Sequence, residues 1–531
     1  VMENGRVMYL RWEYTDSVHY FSRVLMSMNP DGTDQKALYG SNSYWPNSMF
    51  FARQLPGRPD GFVASITGHH SHSKGGALCL FDVSRGRHEA DGAVQFLTGR
   101  GKKVHPLVID NLARVYDPMF FNPFPVTDTF FLATDGAGAV YLLDVFDNVV
   151  CLKQADRRAG YFEPLPLRSR ARPTALPDRM VPGSREATVL INDVHAGPGL
   201  DGVPRGEVKA LRVYRDEYGP RHKRGQDAMG MEAGWDAKQV LGTAPVEEDG
   251  SASFRVPANT PFAVQPLDAQ GRALQQMRSW TVAMPGEFLT CVGCHEPQNT
   301  APPSRTQTAM VRAPHDLKPF HGPTRGFGFE REVQPVLDRY CVGCHDGRKP
   351  DGRYRPANRV IGTGRHAGET FAERGIPDFT KPRKAYLALH PFVRRNGPEG
   401  DYHLLTPLEF HAGTSELFQM LEKGHHNVRL DDEAMDLLHA WADLNAPFHG
   451  TWTEAGANVQ TLERRKALRK EYAGDDYDPE VIVNPYQRSG SPIMPEPDAT
   501  EGDSRLRQAS PSRNASSNAA GGRTARLSSP K

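Results

Sequence analysis

Cys-x-x-Cys-His occurs twice in this chain, as Cys291-Val292-Gly293-Cys294-His295 and Cys341-Val342-Gly343-Cys344-His345, and no other feature restricts the fold as strongly. The pattern is the attachment signature of a c-type haem. Two thiols add across the porphyrin vinyl groups, and the adjacent histidine is delivered to one face of the iron. Haem iron is commonly held by such a histidine, and the opposite face decides what the centre does. Paired C-x-x-C is also zinc-ribbon vocabulary. Here, however, a histidine follows the second cysteine both times, and the intervening segment far exceeds ribbon spacing. Two covalently bound haem c groups are therefore expected. One sits on Cys291 and Cys294 with His295 at the iron, the other on Cys341 and Cys344 with His345 at the iron.

A chain of 531 residues is too long for one ordinary domain, and about three are expected. Basic and acidic residues balance at 64 against 63, so no basic excess exists to neutralise phosphates, and a nucleic-acid partner is not expected. Beyond the motifs only Cys79 and Cys151 remain, each in an apolar strand-like run, which reads as buried inert thiols. No stretch has the length and apolarity of a membrane span, and no signal peptide precedes the first strand. Covalent haem attachment takes place on the outer side of the cytoplasmic membrane. A periplasmic or otherwise exported protein is expected, with an export signal and further sequence upstream of Val1.

Residues 1–165 read as short strands between turns: Arg6–Trp12, Val24–Met28, Phe62–Ile66, Ala77–Phe81 and Ala139–Leu143. Met28-Asn29-Pro30-Asp31-Gly32-Thr33 resembles the strand and Asp-Gly turn of TolB-type β-propeller blades. At about 40–50 residues per blade, the region holds about three or four, a partial propeller. A Pro-rich connector runs from Pro164 to Pro182. Residues 166–310 then return to strand character, with an Asp249-Gly250 turn before an alternating strand. This reads as a β-sandwich-like middle domain that ends in the first Cys-x-x-Cys-His.

Residues 320–475 change character. Phe329, Val333, Val336, Leu337 and Tyr340 recur at helical spacing and lead into Cys341, as at the start of an α-helical class I cytochrome c domain. Leu417, Met420 and Leu421 form a second stripe, stopped at Gly424. Asp431 is the expected N-cap of a helix carrying Ala434, Leu437, Leu438, Trp441 and Leu444. The candidates for a second axial ligand lie between these helices: His425, His426 and Met420. A Met at that spacing is more often core, and paired histidines after a helix-ending Gly are also consistent with a solvated turn. Residues 485–531 are Ser, Arg, Pro and Ala with almost no large apolar side chains, the composition of a disordered tail.

Two other clusters invite chemistry. His69, His70 and His72 share one loop, which reads as a polar turn between strands unless a carboxylate or thiol joins them. Asp193 and His195 suggest an acid–base pair, but strand-end packing is the simpler reading because nothing nearby completes a site.

Over residues 1–475 the sequence resembles the hydrazine synthase alpha subunit and related multidomain cytochromes. The resemblance rests on Gly40-Ser41-Asn42-Ser43-Tyr44-Trp45-Pro46-Asn47-Ser48, Gly202–Gly206, Arg278–Glu287 before the first motif and Asp443–Pro447 after the second. It implies a propeller, a middle domain leading into one haem, and a cytochrome domain with a second haem. It favours His425 as distal ligand, because the family's second haem is held by two histidines. In that family a tyrosine four residues beyond the first motif binds iron and the motif histidine turns to zinc. Asn299 stands at that position here, and asparagine is no anionic ligand, so His295 is left to ligate its own iron.

Three readings of function remain side by side. One is an electron-transferring dihaem cytochrome working with a redox partner protein or sister subunits. Another is a redox enzyme acting on a small nitrogen or oxygen species at an open first haem. The third is a scaffold subunit that docks through its propeller.

Overall fold

The computed structural model describes residues 1–482 except 13, 17–22, 69–73, 98–103, 105, 110, 111, 113, 114, 116, 117, 157, 221–224, 226, 297–299, 303, 348–376, 398 and 399. The loop histidines 69, 70 and 72, Asn299 and the 485–531 tail thus lie outside the described residues.

The chain is multidomain, mostly β-sheet with a minority of helix. β1 (Val7–Trp12), β2 (Arg23–Met28) and β3 (Lys36–Tyr39) pair antiparallel. The turn between β2 and β3 follows its sequence. Gly32 takes a positive φ of 87°, and the Asp31 carboxylate accepts the Thr33 N–H at 3.1 Å. β4 (Ser48–Leu55), β5 (Arg58–Thr67), β6 (Ala77–Asp82) and β7 (Ala93–Phe96) form an antiparallel run, joined to β2 through a single parallel pair, Arg23 with Ser48. β8 (Phe120–Pro125), β9 (Phe130–Asp135), β10 (Val140–Asp144) and β11 (Val149–Lys153) make a separate sheet in the order β11-β10-β9-β8. Among the described residues the N-terminal region therefore holds three antiparallel runs of strands, two of them joined in one sheet. Trp45, Phe62 and Phe81 are buried between them, the last two stacked at 4.8 Å. Cys79 is buried as expected, whereas Cys151 on the edge strand β11 is only partly covered.

The middle of the chain builds two sheets. One is β15 (Ala252–Pro257), β12 (Glu186–Ile191) and β18 (Phe288–Cys291). The other is β14 (Ala237–Pro245), β13 (Ala210–Glu217), β16 (Pro261–Leu267) and β17 (Thr281–Val282). Val189, Ile191, Phe254 and Val256 from the first meet Leu211, Val213, Ala244 and Phe262 from the second in one core. β18 runs parallel to β12, which places Cys291 beside Ile191 at the sheet's end.

β13 is covered on both faces, as its period-two alternation requires. Leu211 and Val213 point into the sandwich core, while Tyr214 joins a second core built largely from helices. That core holds the whole expected stripe, Phe329, Val333, Val336, Leu337 and Tyr340, on a π turn (Phe329–Val333) continued by the helix Gln334–Tyr340. Further helices are Pro382–Leu389, Glu416–Glu422, Asp432–Asp443 and Val459–Ala473. Asp431 caps the third of these by accepting the Ala434 N–H at 2.9 Å. Trp441 is fully buried, 5.3 Å from the Phe329 ring.

Buried ion pairs tie these regions together. Arg212 of β13 meets Asp443 at 3.0 Å, with side chains 2% and 0% exposed. Lys238 of β14 meets Asp16, from the segment after β1, at 2.8 Å. Gln276 and Asn445 also donate to that carboxylate, so it is satisfied by groups from distant parts of the sequence.

Candidate functional site

The first motif grows out of a strand end. Cys291 closes β18, and residues 192–199 wrap the turn that follows. Asn192 donates its backbone N–H and its side-chain amide to the Cys291 carbonyl, both at 2.9 Å. Asp193 N–H reaches the Val292 carbonyl at 3.1 Å, and Gly199 N–H reaches that of Cys294 at 3.0 Å. Two glycines are required by close approach. A Cβ on Gly293 would lie 2.1 Å from the Ala196 carbonyl oxygen, and one on Gly199 would lie 2.4 Å from that of Cys294. The Asp193 carboxylate is held by Arg205 at 2.6 Å and Arg305 at 3.1 Å, and it accepts the His195 backbone N–H at 3.0 Å. It braces the cradle, in line with the strand-end reading. Burial pushes the Cys291 and Cys294 thiols up to about 12, so both are neutral thiols. His295 has φ of 55°, and its pKa is lowered from the ordinary imidazole value by burial, against Glu296, which raises it, and with Arg278, which lowers it further.

Around His295 three parts of the chain meet. Arg278 donates to the backbone carbonyls of Asp401 at 2.6 Å and Tyr402 at 2.9 Å, and to that of His403. Tyr44 donates its hydroxyl to Asp401 at 2.7 Å and accepts the Tyr402 N–H at 2.9 Å. Glu89 accepts the backbone N–H groups of Tyr44 and Trp45 at 2.7 and 2.8 Å. Arg278, Tyr44 and Trp45 stood inside segments that carry the family resemblance, a signal that marked the stretches and not these roles. Nothing in the sequence pointed to Glu89 or His403.

The second motif grows out of a helix end. Cys341 donates its N–H to the Leu337 carbonyl at 2.8 Å, and His345 donates to that of Cys341 at 2.9 Å, so the motif continues the helical turn. The His345 ring stacks on Phe379 at 4.6 Å and faces the His425 ring at 6.0 Å, with 25° between planes. Burial, then the neighbouring His425 and His426, lower its pKa to about 4, leaving the neutral imidazole that metals bind. Gly424, at φ 88°, turns the chain off the Glu416–Glu422 helix and delivers His425 to this position. His426 is exposed, its ring set edge-on to His425 at 4.7 Å. Met420 packs against the helical core. Tyr340 donates its hydroxyl to Asp431 at 2.7 Å, joining the helix that ends in the motif to the start of the Asp432–Asp443 helix.

The donor set suits a planar metal cofactor between two imidazoles. With metal–nitrogen bonds of about 2 Å on opposite faces, ring centres stand roughly 6 Å apart. With Cys341 one turn before His345 and Cys344 directly beside it, the two thiols can anchor such a group covalently. At the first motif the cysteines and His295 are present, but among the described residues no second histidine ring stacks on His295.

Residues 206–296 match the family described as the hydrazine synthase alpha subunit middle domain, a span that includes the first motif. The fold is similar to that of a solved chain of Kuenenia stuttgartiensis hydrazine synthase, with a TM-score of 0.58 and 15% identity, covering 84% of this chain and 68% of that one. No curated protein matches the sequence. The family match through the middle sheets into the first motif, and the likeness of fold over most of the chain, identify a hydrazine synthase alpha-like protein.

Proposed function

We propose that the protein is an exported dihaem c-type cytochrome that relays electrons among sister subunits. In this reading residues 1–165 form part of a β-propeller, 166–310 a β-sandwich-like domain and 320–475 a class I cytochrome c domain. The observation that carries it is the facing pair His345 and His425 beside Cys341 and Cys344. Haem, when bound, supplies a one-electron iron centre. His345 and His425 would both hold the iron, which would leave no place for a substrate there and would favour outer-sphere transfer. Phe379 and the Tyr340–Asp431 bond hold the two imidazoles in register. Export is inferred from the motifs, whose attachment chemistry belongs outside the cytoplasmic membrane. The description of the matching family as an alpha subunit supports an assembly with sister subunits. Among the described residues no helix is long and apolar enough to cross a membrane.

A second reading places catalysis on a small nitrogen or oxygen species at the first motif. It is favoured by the charged side chains gathered at His295, Glu296 and Arg278 among them, where the second motif has a facing imidazole.

Acid acetone is expected to leave two haems on the chain. EPR separates the readings: two low-spin centres for the relay, one high-spin centre for the enzyme. His425→Ala should turn one low-spin centre high-spin, while Met420→Leu leaves the spectrum unchanged. Zinc in place of haem ends both readings, and a sulfur-to-iron band lost in Met420→Leu, or a high-spin centre produced by His426→Ala alone, reassigns the distal ligand.

A further inference from the structure

Among the described residues one group of three metal-ligating side chains converges, His88, Glu89 and His403, with ligand atoms all within 4.8 Å of one another. His88 and Glu89 lie between β6 and β7, and His403 lies more than three hundred residues later, in the segment held by Arg278. Each of the three is oriented by a further partner. His88 Nε2 lies 2.6 Å from the Asn42 carbonyl oxygen, so it carries the proton and Nδ1 is left as a lone pair. His403 Nδ1 lies 3.3 Å from the Asp401 carboxylate, a charge contact that steadies the ring, while Nε2 is turned to Glu89. Glu89 is fixed by the two backbone N–H groups of Tyr44 and Trp45. A metal-ligating histidine almost always gives its other ring N–H to a carboxylate or carbonyl in this way.

His403 Nε2 then faces Glu89 Oε1 at 3.2 Å. In the ion-free chain a proton on Nε2 bridges the two atoms, and a cation can take its place once that proton is lost. Ligands about 2.0–2.1 Å from a tetrahedral zinc are separated by roughly 3.3 Å, so the spacing already fits.

We propose that His88, Glu89 and His403 bind a divalent cation of the zinc class, with two imidazoles, one carboxylate and a fourth position open to water. Imidazole donors favour zinc over magnesium or calcium. The ion staples the β6–β7 loop to the 401–404 segment, and because its ligands come from both, binding stabilises their docking. The site borders the first motif, since His88 is close enough to act on His295, but takes no ligand from it. The inference is independent of the electron-transfer reading.

The test uses the full haem-loaded chain, stripped with a chelator, dialysed against zinc and measured by elemental analysis and zinc-edge absorption. One zinc per chain with a nitrogen and oxygen shell is expected. His403→Gln and His88→Ala should each weaken binding at least tenfold, and Asp401→Asn about tenfold through loss of orientation. His295→Ala should retain the ion. Melting temperature should rise with zinc in the parent chain and not in His403→Gln, which leaves Glu89 and its two backbone bonds in place. The proposal is overturned by no bound zinc, by sulfur in its shell, by undiminished zinc in a His88→Ala, His403→Gln double variant, or by zinc that depends on His295 and not on His403.

Discussion

The two Cys-x-x-Cys-His turns are identical in their first, fourth and fifth residues and even share Val-Gly between the cysteines, yet the fold treats them differently. The first is gripped through its backbone by a loop a hundred residues earlier, at a strand end where glycines permit contact with carbonyl oxygens. The second hangs from a helix and is completed by a side chain, His425, delivered by another helix end. One sequence signature thus sets two thiols and an imidazole side by side and says little about what faces them. The surroundings that decide it come from the scaffold: β-sheet for one site, helix for the other.

The largest effect expected on this contrast comes from Asp443→Ala. Asp443 bonds Arg212 of the strand region, and its two oxygens also accept the Ala273 and Ala412 N–H groups. Truncation leaves Arg212 buried without its ionic partner, a loss of about 3–5 kcal/mol. Chemical denaturation should then show the helical region unfolding ahead of the strand region; an unchanged single transition contradicts the pair's role as tie.

Gly293→Ala against Gly343→Ala is the sharper comparison. The first pushes a Cβ into a backbone carbonyl and should cost about 1–3 kcal/mol, reduce haem attachment at the first motif and spare the second. Equal loss at both sites in the two variants sinks the distinction.

The third difference between the regions appears only in acid. Burial and then the Arg395 charge lower His390, in the helical region, to about 3, against the Met231 carbonyl, which raises it. Its folded value is below the ordinary 6.5, so the unfolded chain binds the extra proton, and stability falls as pH drops from 6.5 toward 3, by up to about 1.4 kcal/mol per pH unit. Asp249, in the strand region, behaves oppositely. Burial pushes it up, but bonds from Ser251 and Thr308 pull it further down, to about 2. Its contribution is present above 3.8 and is lost only as pH falls through about 2. Helical signal should therefore decay at higher pH than strand signal, and His390→Phe should flatten the slope between pH 6.5 and 4. Coincident acid transitions, or a slope unaltered in His390→Phe, contradict this.

Local chemistry was legible in sequence. The Phe329–Tyr340 stripe, the Asp431 cap and the stop at Gly424 each follow from a few neighbouring residues, and each is present. So was the position of His425, because a turn between two helices is short enough to place. What stayed hidden depends on distant approach. Arg278 is an ordinary arginine until residues 401–403 come within its reach, and Glu89 has no mark until Tyr44 and Trp45 are folded above it. Single strands of the N-terminal region were readable as apolar runs, but the joining of two runs through Arg23 and Ser48 was not, since one parallel pair leaves no periodic trace.

The parallel pairing of β12 with β18 has a consequence in time. Ile191 meets Cys291 one hundred positions later in the chain, so the sheet cannot close until almost the whole middle region has been laid down. Until then both thiols of the first motif stand open to any electrophile; afterwards each is partly covered, and its pKa is pushed up to about 12. The attachment proposed for Cys291 and Cys294 therefore has a window, which opens when β18 emerges and narrows when it finds β12.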